Sequence, residues 1–152
     1  MLTAQLLLSQ ISGPEIMFAA TIIISFFLYK NRKLRDFYII LLTRRLAMGT
    51  TYFLKYFLKV PRPDAMLTSA HDYRFPSGHA TMAAVIMSLG IYYTYTYVHD
   101  KHLRYFFYIV SVGWYVLISY SRLYLGVHFP VDIIVGGIIG VVSAMVVLKF
   151  KK

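Results

Sequence analysis

Apolar residues run through this chain in five long blocks separated by short polar stretches. The blocks cover about Ile16 to Tyr29, Phe37 to Leu58, Ser77 to Val98, Tyr105 to Tyr120 and Val131 to Leu148. A helix needs roughly 20 residues to cross the hydrocarbon of a bilayer, and all five blocks are that long or nearly so. The pattern predicts an all-α integral membrane bundle of about five transmembrane helices. The apolar but short segment Met1–Ile11 reads as a further N-terminal helix, interfacial or an incomplete span. Gly136, Gly137 and Gly140 stand at small-residue spacing in the last block, a pattern that lets helices pack closely.

Composition agrees. Of 152 residues, 59% are hydrophobic and 14% charged, where a soluble domain carries about 25% charged residues. The reading is one membrane-embedded domain over residues 1–152, without repeats or linkers. A net charge of +10 would point to nucleic acid in a soluble protein. Here the basic residues gather in short loops, which is a signal of orientation and not of a nucleic-acid partner. Lys30, Arg32, Lys33 and Arg35 precede the second block, Lys101 and Arg104 the fourth, and Lys149, Lys151 and Lys152 follow the fifth. These three regions are expected in the cytoplasm. The loops 59–76 and 122–130 then face the periplasm or cell exterior. Tyr92, Tyr93, Tyr95 and Tyr97 fit an aromatic belt at the opposite, cytoplasmic interface. Cysteine is absent, which excludes disulfides and thiolate chemistry. The N-terminus has no basic n-region or small-residue cleavage site, so a removable signal peptide is not expected.

Three polar clusters fall at block ends on that outer side. They read Lys55-x6-Arg62-Pro63, then Pro76-Ser77-Gly78-His79, then Ser121-Arg122-x5-His128-x3-Asp132. Ser77 is a good helix N-cap, and the helix start behind it is an anion site by virtue of free N–H groups and a partial positive charge. Gly78 lets a ligand approach the backbone, and His79 lies in the first turn. Pro130 suits the first turn of the last helix. Asp132 is then close enough to fold back on His128 and fix its tautomer, which leaves the other ring nitrogen as base or nucleophile. Lys55, Arg62 and Arg122 supply cations, the arginines in a fork that matches phosphate oxygens. Each cluster alone has a plain reading: a capped helix, a helix-terminal charge, interfacial bases that snorkel. Together they are equipment for phosphoryl transfer on a lipid.

The set resembles the signature of the type 2 phosphatidic acid phosphatase superfamily, matching all eleven of its fixed positions in order between Lys55 and Asp132. The resemblance implies a membrane lipid phosphatase that works without metal or other cofactor. His128 would be the nucleophile, passing through a phosphohistidine, with Asp132 orienting it. His79 would be the general acid. Lys55, Arg62, Ser77, Gly78 and Arg122 would hold the phosphate, with the role of Ser121 left open. The substrates it implies are undecaprenyl diphosphate, phosphatidylglycerol phosphate, phosphatidic acid or the 1-phosphate of lipid A, in a bacterial plasma membrane. A lipid phosphotransferase with the same site, or a non-catalytic protein that binds or transports lipid headgroups, are the alternatives.

Three features sit beside that signature. Such proteins often have six spans, and Met1–Ile11 is the reduced sixth on this reading. Arg44 and Arg45 interrupt the second block. Arg45 stands ten residues before Lys55, ~15 Å along a helix, near mid-bilayer. The pair either faces the bundle interior or contacts a second phosphate or sugar of a large headgroup. His71, Asp72 and Arg74 precede the second cluster and read as solvated loop residues, or as a gate that shapes headgroup choice. Trp114 and the other aromatics read as core and interface packing.

Overall fold

The computed structural model describes residues 33–62, 67 and 72–150. Among these there are four long helices and no strand: α1 (Leu34–Leu58), α2 (Gly78–Tyr97), α3 (Lys101–Tyr124) and α4 (Pro130–Lys149). They are the second to fifth predicted blocks, and each boundary lies within a few residues of the reading. The first block, Met1–Ile11, Lys30, Arg32, Pro63, His71, Lys151 and Lys152 lie outside the described residues. α3 and α4 are long and apolar enough to cross a membrane.

α3 starts earlier than its apolar block because Asp100 caps it, its carboxylate accepting the Leu103 N–H at 2.7 Å. The cap carries the helix through the polar residues 101–104. α1 ends at Lys59, which takes a left-handed conformation and returns its N–H to the Lys55 carbonyl.

α2 packs against the other three helices, and α1 packs on α4 as well. The buried seam is built from small and hydroxylated residues: Ala80, Thr81, Ala83, Ala84, Gly136, Gly140, Ser143 and Ala144. The large apolar side chains Ile109, Val116, Ile134, Ile138 and Met145 face outward. This is the arrangement of helices whose surroundings are as apolar as their side chains, so that close backbone packing holds them together. A Cβ on Gly136 would stand 2.6 Å from the Ser77 carbonyl oxygen, and one on Gly140 2.5 Å from that of Thr81. The predicted small-residue spacing is therefore a real seam between α4 and α2. Between α1 and α2 a polar chain runs from Thr51 Oγ1 to Thr81 Oγ1 at 3.1 Å and on to the Ser77 carbonyl at 3.0 Å.

The helices alternate in direction, which sorts the polar residues to two ends. At one end Tyr97 donates to the buried Asp36 carboxylate at 2.9 Å, tying the start of α1 to the end of α2. Lys33, Arg35, Lys101, Arg104 and Lys149 belong to helix termini at that end. The end of α1, the start of α2, the end of α3 and the start of α4 meet at the other.

Candidate functional site

All three polar clusters come together at that second end. Ser77 is the N-cap of α2, its side chain accepting from the Ala80 N–H at 3.4 Å. The Ser77 N–H donates to the Asp132 carbonyl at 3.0 Å, which bolts the second cluster to the third through backbone alone. The first cluster joins through a side chain: Arg62 Nη1 donates to the Val127 carbonyl at 2.9 Å. Gly126, at φ 67°, turns the chain after α3 so that His128 is carried back over the bundle. A side chain at this φ is strained, so the turn depends on glycine.

His128 is buried, and its Nδ1 lies 3.5 Å from Asp132 Oδ2. The contact is long for a hydrogen bond but directs Nδ1 to the carboxylate, leaving Nε2 free to face a ligand. Asp132 is fully buried. Its Oδ2 also accepts the Phe129 N–H at 2.7 Å, so the same carboxylate caps α4 and orients the histidine. Its Oδ1 has no hydrogen-bond partner among the described residues. Burial holds the His128 imidazole below its ordinary 6.5, against the pull of the Asp132 hydrogen bond, and the charge of Arg62 works the same way as burial. The ring is therefore neutral at pH 7, as a nucleophile must be.

Arg122 is buried in the last turn of α3. Its Nη2 donates to Ser121 Oγ at 2.9 Å, while its Nε has no hydrogen-bond partner among the described residues. A buried guanidinium with an unused donor is a site prepared for an anion. His79, in the first turn of α2, is within electrostatic reach of Arg122, His128 and Arg62. Among the described residues a Cβ added at Gly78 would meet only Met48 Cε at 3.8 Å, so packing against them does not require glycine there.

Two residues read as solvated loop are instead bound into the site, and this corrects the sequence reading. Asp72 bridges Lys55 and Arg62, with Lys55 Nζ at 2.8 Å from Oδ2 and Arg62 Nη2 on Oδ1. Arg74 Nε lies 3.2 Å from Asp132 Oδ2, and its guanidinium sits 4.3 Å over the Phe129 ring. The sequence hints that Asp72 is paired but not with what: the chain has six acidic residues, and a carboxylate beside a cation cluster in an apolar protein is seldom left unpaired. Arg44, half-buried, and Arg45, exposed, lie further along α1, with ~15 Å of helix between Arg45 and Lys55. One phosphate does not touch both.

Burial opposes charge on Asp72, but the hydrogen bonds and charges of Lys55 and Arg62 outweigh it and hold the carboxyl below its ordinary value. A depressed carboxylate contributes stability that is complete above its unfolded value of about 4 and lost as pH falls through the folded value. Thermal melts in detergent should therefore fall in midpoint as pH drops below about 4, and Asp72→Asn should flatten that decline.

A family model described as the PAP2 superfamily matches residues 36–152. Phosphatidylglycerophosphatase B of Bacillus subtilis is 33% identical over 102 residues, 65% of this chain and 50% of that protein. An undecaprenyl-diphosphatase of Sulfolobus acidocaldarius is 41% identical over 69 residues, 45% of this chain and 29% of that one. The matches thus span half or less of these relatives. Two crystal structures share the fold. A transmembrane PAP2 type phosphatidylglycerolphosphate phosphatase from Bacillus subtilis aligns at TM-score 0.86 and 25% identity, over 98% of this chain and 75% of that one. Aquifex aeolicus LpxE aligns at 0.76 and 26%, over 98% and 86%.

Proposed function

The chain belongs to the PAP2 superfamily, and from that premise we propose that it is a metal-independent membrane lipid phosphatase that removes a terminal phosphate through a phosphohistidine. The observation that carries the reading is His128, buried with Nδ1 turned to the buried Asp132 carboxylate, at the helix ends where Lys55, Arg62 and Arg122 also converge.

In the proposed reaction the phosphate lies over the start of α2, against Ser77 and Gly78, and is gripped by Lys55, Arg62 and Arg122. The lone pair of His128 Nε2 attacks phosphorus, and the bond to the lipid oxygen breaks as His79 gives that oxygen its proton. Asp132 steadies the positive charge that grows on the imidazole. Water then attacks the phosphohistidine and returns a proton to His79, freeing inorganic phosphate. The cations neutralise charge on the equatorial oxygens in both steps.

A lipid substrate is supported by an apolar groove of about 460 Å³ lined by Met87, Tyr115, Ile134, Ile138 and Val142. It runs along the outer side of α4 between residues 134 and 142, on the apolar surface a lipid chain would lie against. The basic helix termini at the far end support a site facing the periplasm or exterior, with the C-terminus in the cytoplasm. The candidate substrates are phosphatidylglycerol phosphate, undecaprenyl diphosphate, phosphatidic acid and lipid A 1-phosphate.

The deciding experiment is release of inorganic phosphate from these four lipids by purified protein in detergent with EDTA. Turnover is expected, with the ranking of rates naming the substrate class. No release from any lipid by folded protein would favour a phosphotransferase or a headgroup-binding protein. Arg74 bears on Asp132 and not on phosphate, so Arg74→Gln is expected to lower kcat roughly tenfold with KM little changed. Arg74→Lys should restore part of the loss. Steady-state kinetics on the best lipid would show a rise in KM instead if Arg74 gripped the phosphate.

A further inference from the structure

Lys55, in the last turn of α1, and Arg62, four residues beyond its end, already hold an anion. Lys55 Nζ and Arg62 Nη2 each take one oxygen of the Asp72 carboxylate. Arg62 Nε donates to the Asp72 carbonyl at 2.8 Å, and Lys55 Nζ donates to the Tyr73 carbonyl. Two oxygens of one group, one on each cation, is the arrangement that a phosphate would present to the same pair. The cations and the carboxylate differ in accessibility. Lys55 is 3% exposed, whereas the Asp72 side chain is 42% exposed. The carboxylate is the solvent-facing member of the group, and the two cations, at 4% and 10% side-chain exposure, are the buried ones.

Only the side chain has to withdraw. Asp72 precedes the cap of α2 by five residues, on a non-helical segment that is held by Arg62 Nε on the Asp72 carbonyl, Lys55 Nζ on the Tyr73 carbonyl, the Arg74 N–H on the Val60 carbonyl, the Arg74 side chain on Asp132 and Phe129, and the edge contact of Tyr73 on Tyr56. None of these contacts passes through the Asp72 carboxylate. Only the carboxylate is partly solvated, and its exchange for a phosphate, which presents more oxygens to the same two cations, leaves neither cation unpaired.

We propose that Asp72 is an intramolecular competitor for the phosphate: its carboxylate occupies Lys55 and Arg62 between turnovers and must be displaced by substrate, and it expels the inorganic phosphate product by returning. This rests on the phosphatase reading given above. A resident competitor lowers the apparent affinity of every anion that needs those cations by one factor, whatever else that anion touches. It thereby keeps the product from holding the site, and places Asp72 among the residues that set KM.

The test is the inhibition constant of inorganic phosphate, together with KM for phosphatidic acid in detergent micelles, in the wild type, Asp72→Asn, Asp72→Glu and Arg62→Ala. For Asp72→Asn both constants are expected to fall by a common factor of about three to ten, while Asp72→Glu, which keeps the anion, stays nearer the wild type. Arg62→Ala should raise both. If Asp72→Asn raises or does not change them, Asp72 is a brace that positions the cations, and the inference fails while the phosphatase reading stands. If Arg62→Ala changes neither, phosphate does not rest on Arg62, and the inference fails together with that residue's place in the phosphate grip, while turnover itself still upholds the phosphatase reading. A second measurement needs no variant. Saturating inorganic phosphate should speed amide hydrogen exchange across residues 72–74 of the wild type, and slower or unchanged exchange there would overturn the inference.

Discussion

His128→Ala should abolish phosphate release, with kcat falling on the order of 10⁴-fold or more, because no other group can form the bond to phosphorus. The loss should leave lipid binding in place, since the cations and the start of α2 are untouched. Asp132→Asn should fall between that variant and the wild type, at roughly 10²- to 10⁴-fold. An amide cannot serve both the Phe129 N–H and a protonated imidazole as a carboxylate does, so the tautomer and the ring orientation are lost together. Trapping with a radiolabelled terminal phosphate would separate the outcomes: label stable to base and labile to acid on the wild type, and none on His128→Ala. Persistent turnover in His128→Ala would remove the histidine from the reaction.

Gly136→Ala should be nearly as damaging, though the residue meets no substrate. Its Cβ would lie 2.6 Å from the Ser77 carbonyl, 3.1 Å from Thr81 Oγ1 and 3.3 Å from Ala80 Cβ. The carbonyl has no freedom to yield, because it accepts both the Thr81 N–H and the Thr81 hydroxyl at 3.0 Å. One methyl group therefore pries α4 from α2 at the place where the second and third clusters are joined. Overpacking of this kind costs about 1–3 kcal/mol of stability, and a shift near 1 Å between reacting groups can cost ~10²-fold in rate. The melting temperature in detergent and kcat are expected to drop together. Gly49→Ala on α1 is the control, because among the described residues nothing lies within 4 Å of its added Cβ. Equal behaviour of the two variants would mean that the seam does not position the site.

Much of this was legible in the order of residues. Apolar blocks long enough to span mark four of the helices almost to their ends, since a bilayer leaves little choice of structure for such a segment. The charge of the loops sorts those ends, and the sorting alone gathers Lys55, Arg62, Ser77, His79, Arg122, His128 and Asp132. What escaped is pairing across the loop. Asp72 and Arg74 carry no periodicity, and their partners lie on α1 and α4, so only the folded path of the segment before Pro76 brings them together. Asp100 is a different case. It is a plain N-cap four residues before Arg104, and reading the helix from its apolar block alone hides it. The glycine seam was visible as spacing on α4, but not its opposite wall, the Ser77 carbonyl.

The outer surface of α1 at the site end carries Tyr52 stacked on Tyr56 and Phe53 stacked on Phe57, all exposed. Aromatic rings of this sort settle at the level where acyl chains meet headgroups. On the proposed membrane placement they set the height at which Lys55, one turn away, rides in the bilayer. That height resolves a supply problem: the two reactants of the proposed chemistry have opposite solubilities, and one plane alone is open to both. A lipid can slide in along that level without leaving its leaflet, and water can descend to it without crossing oil.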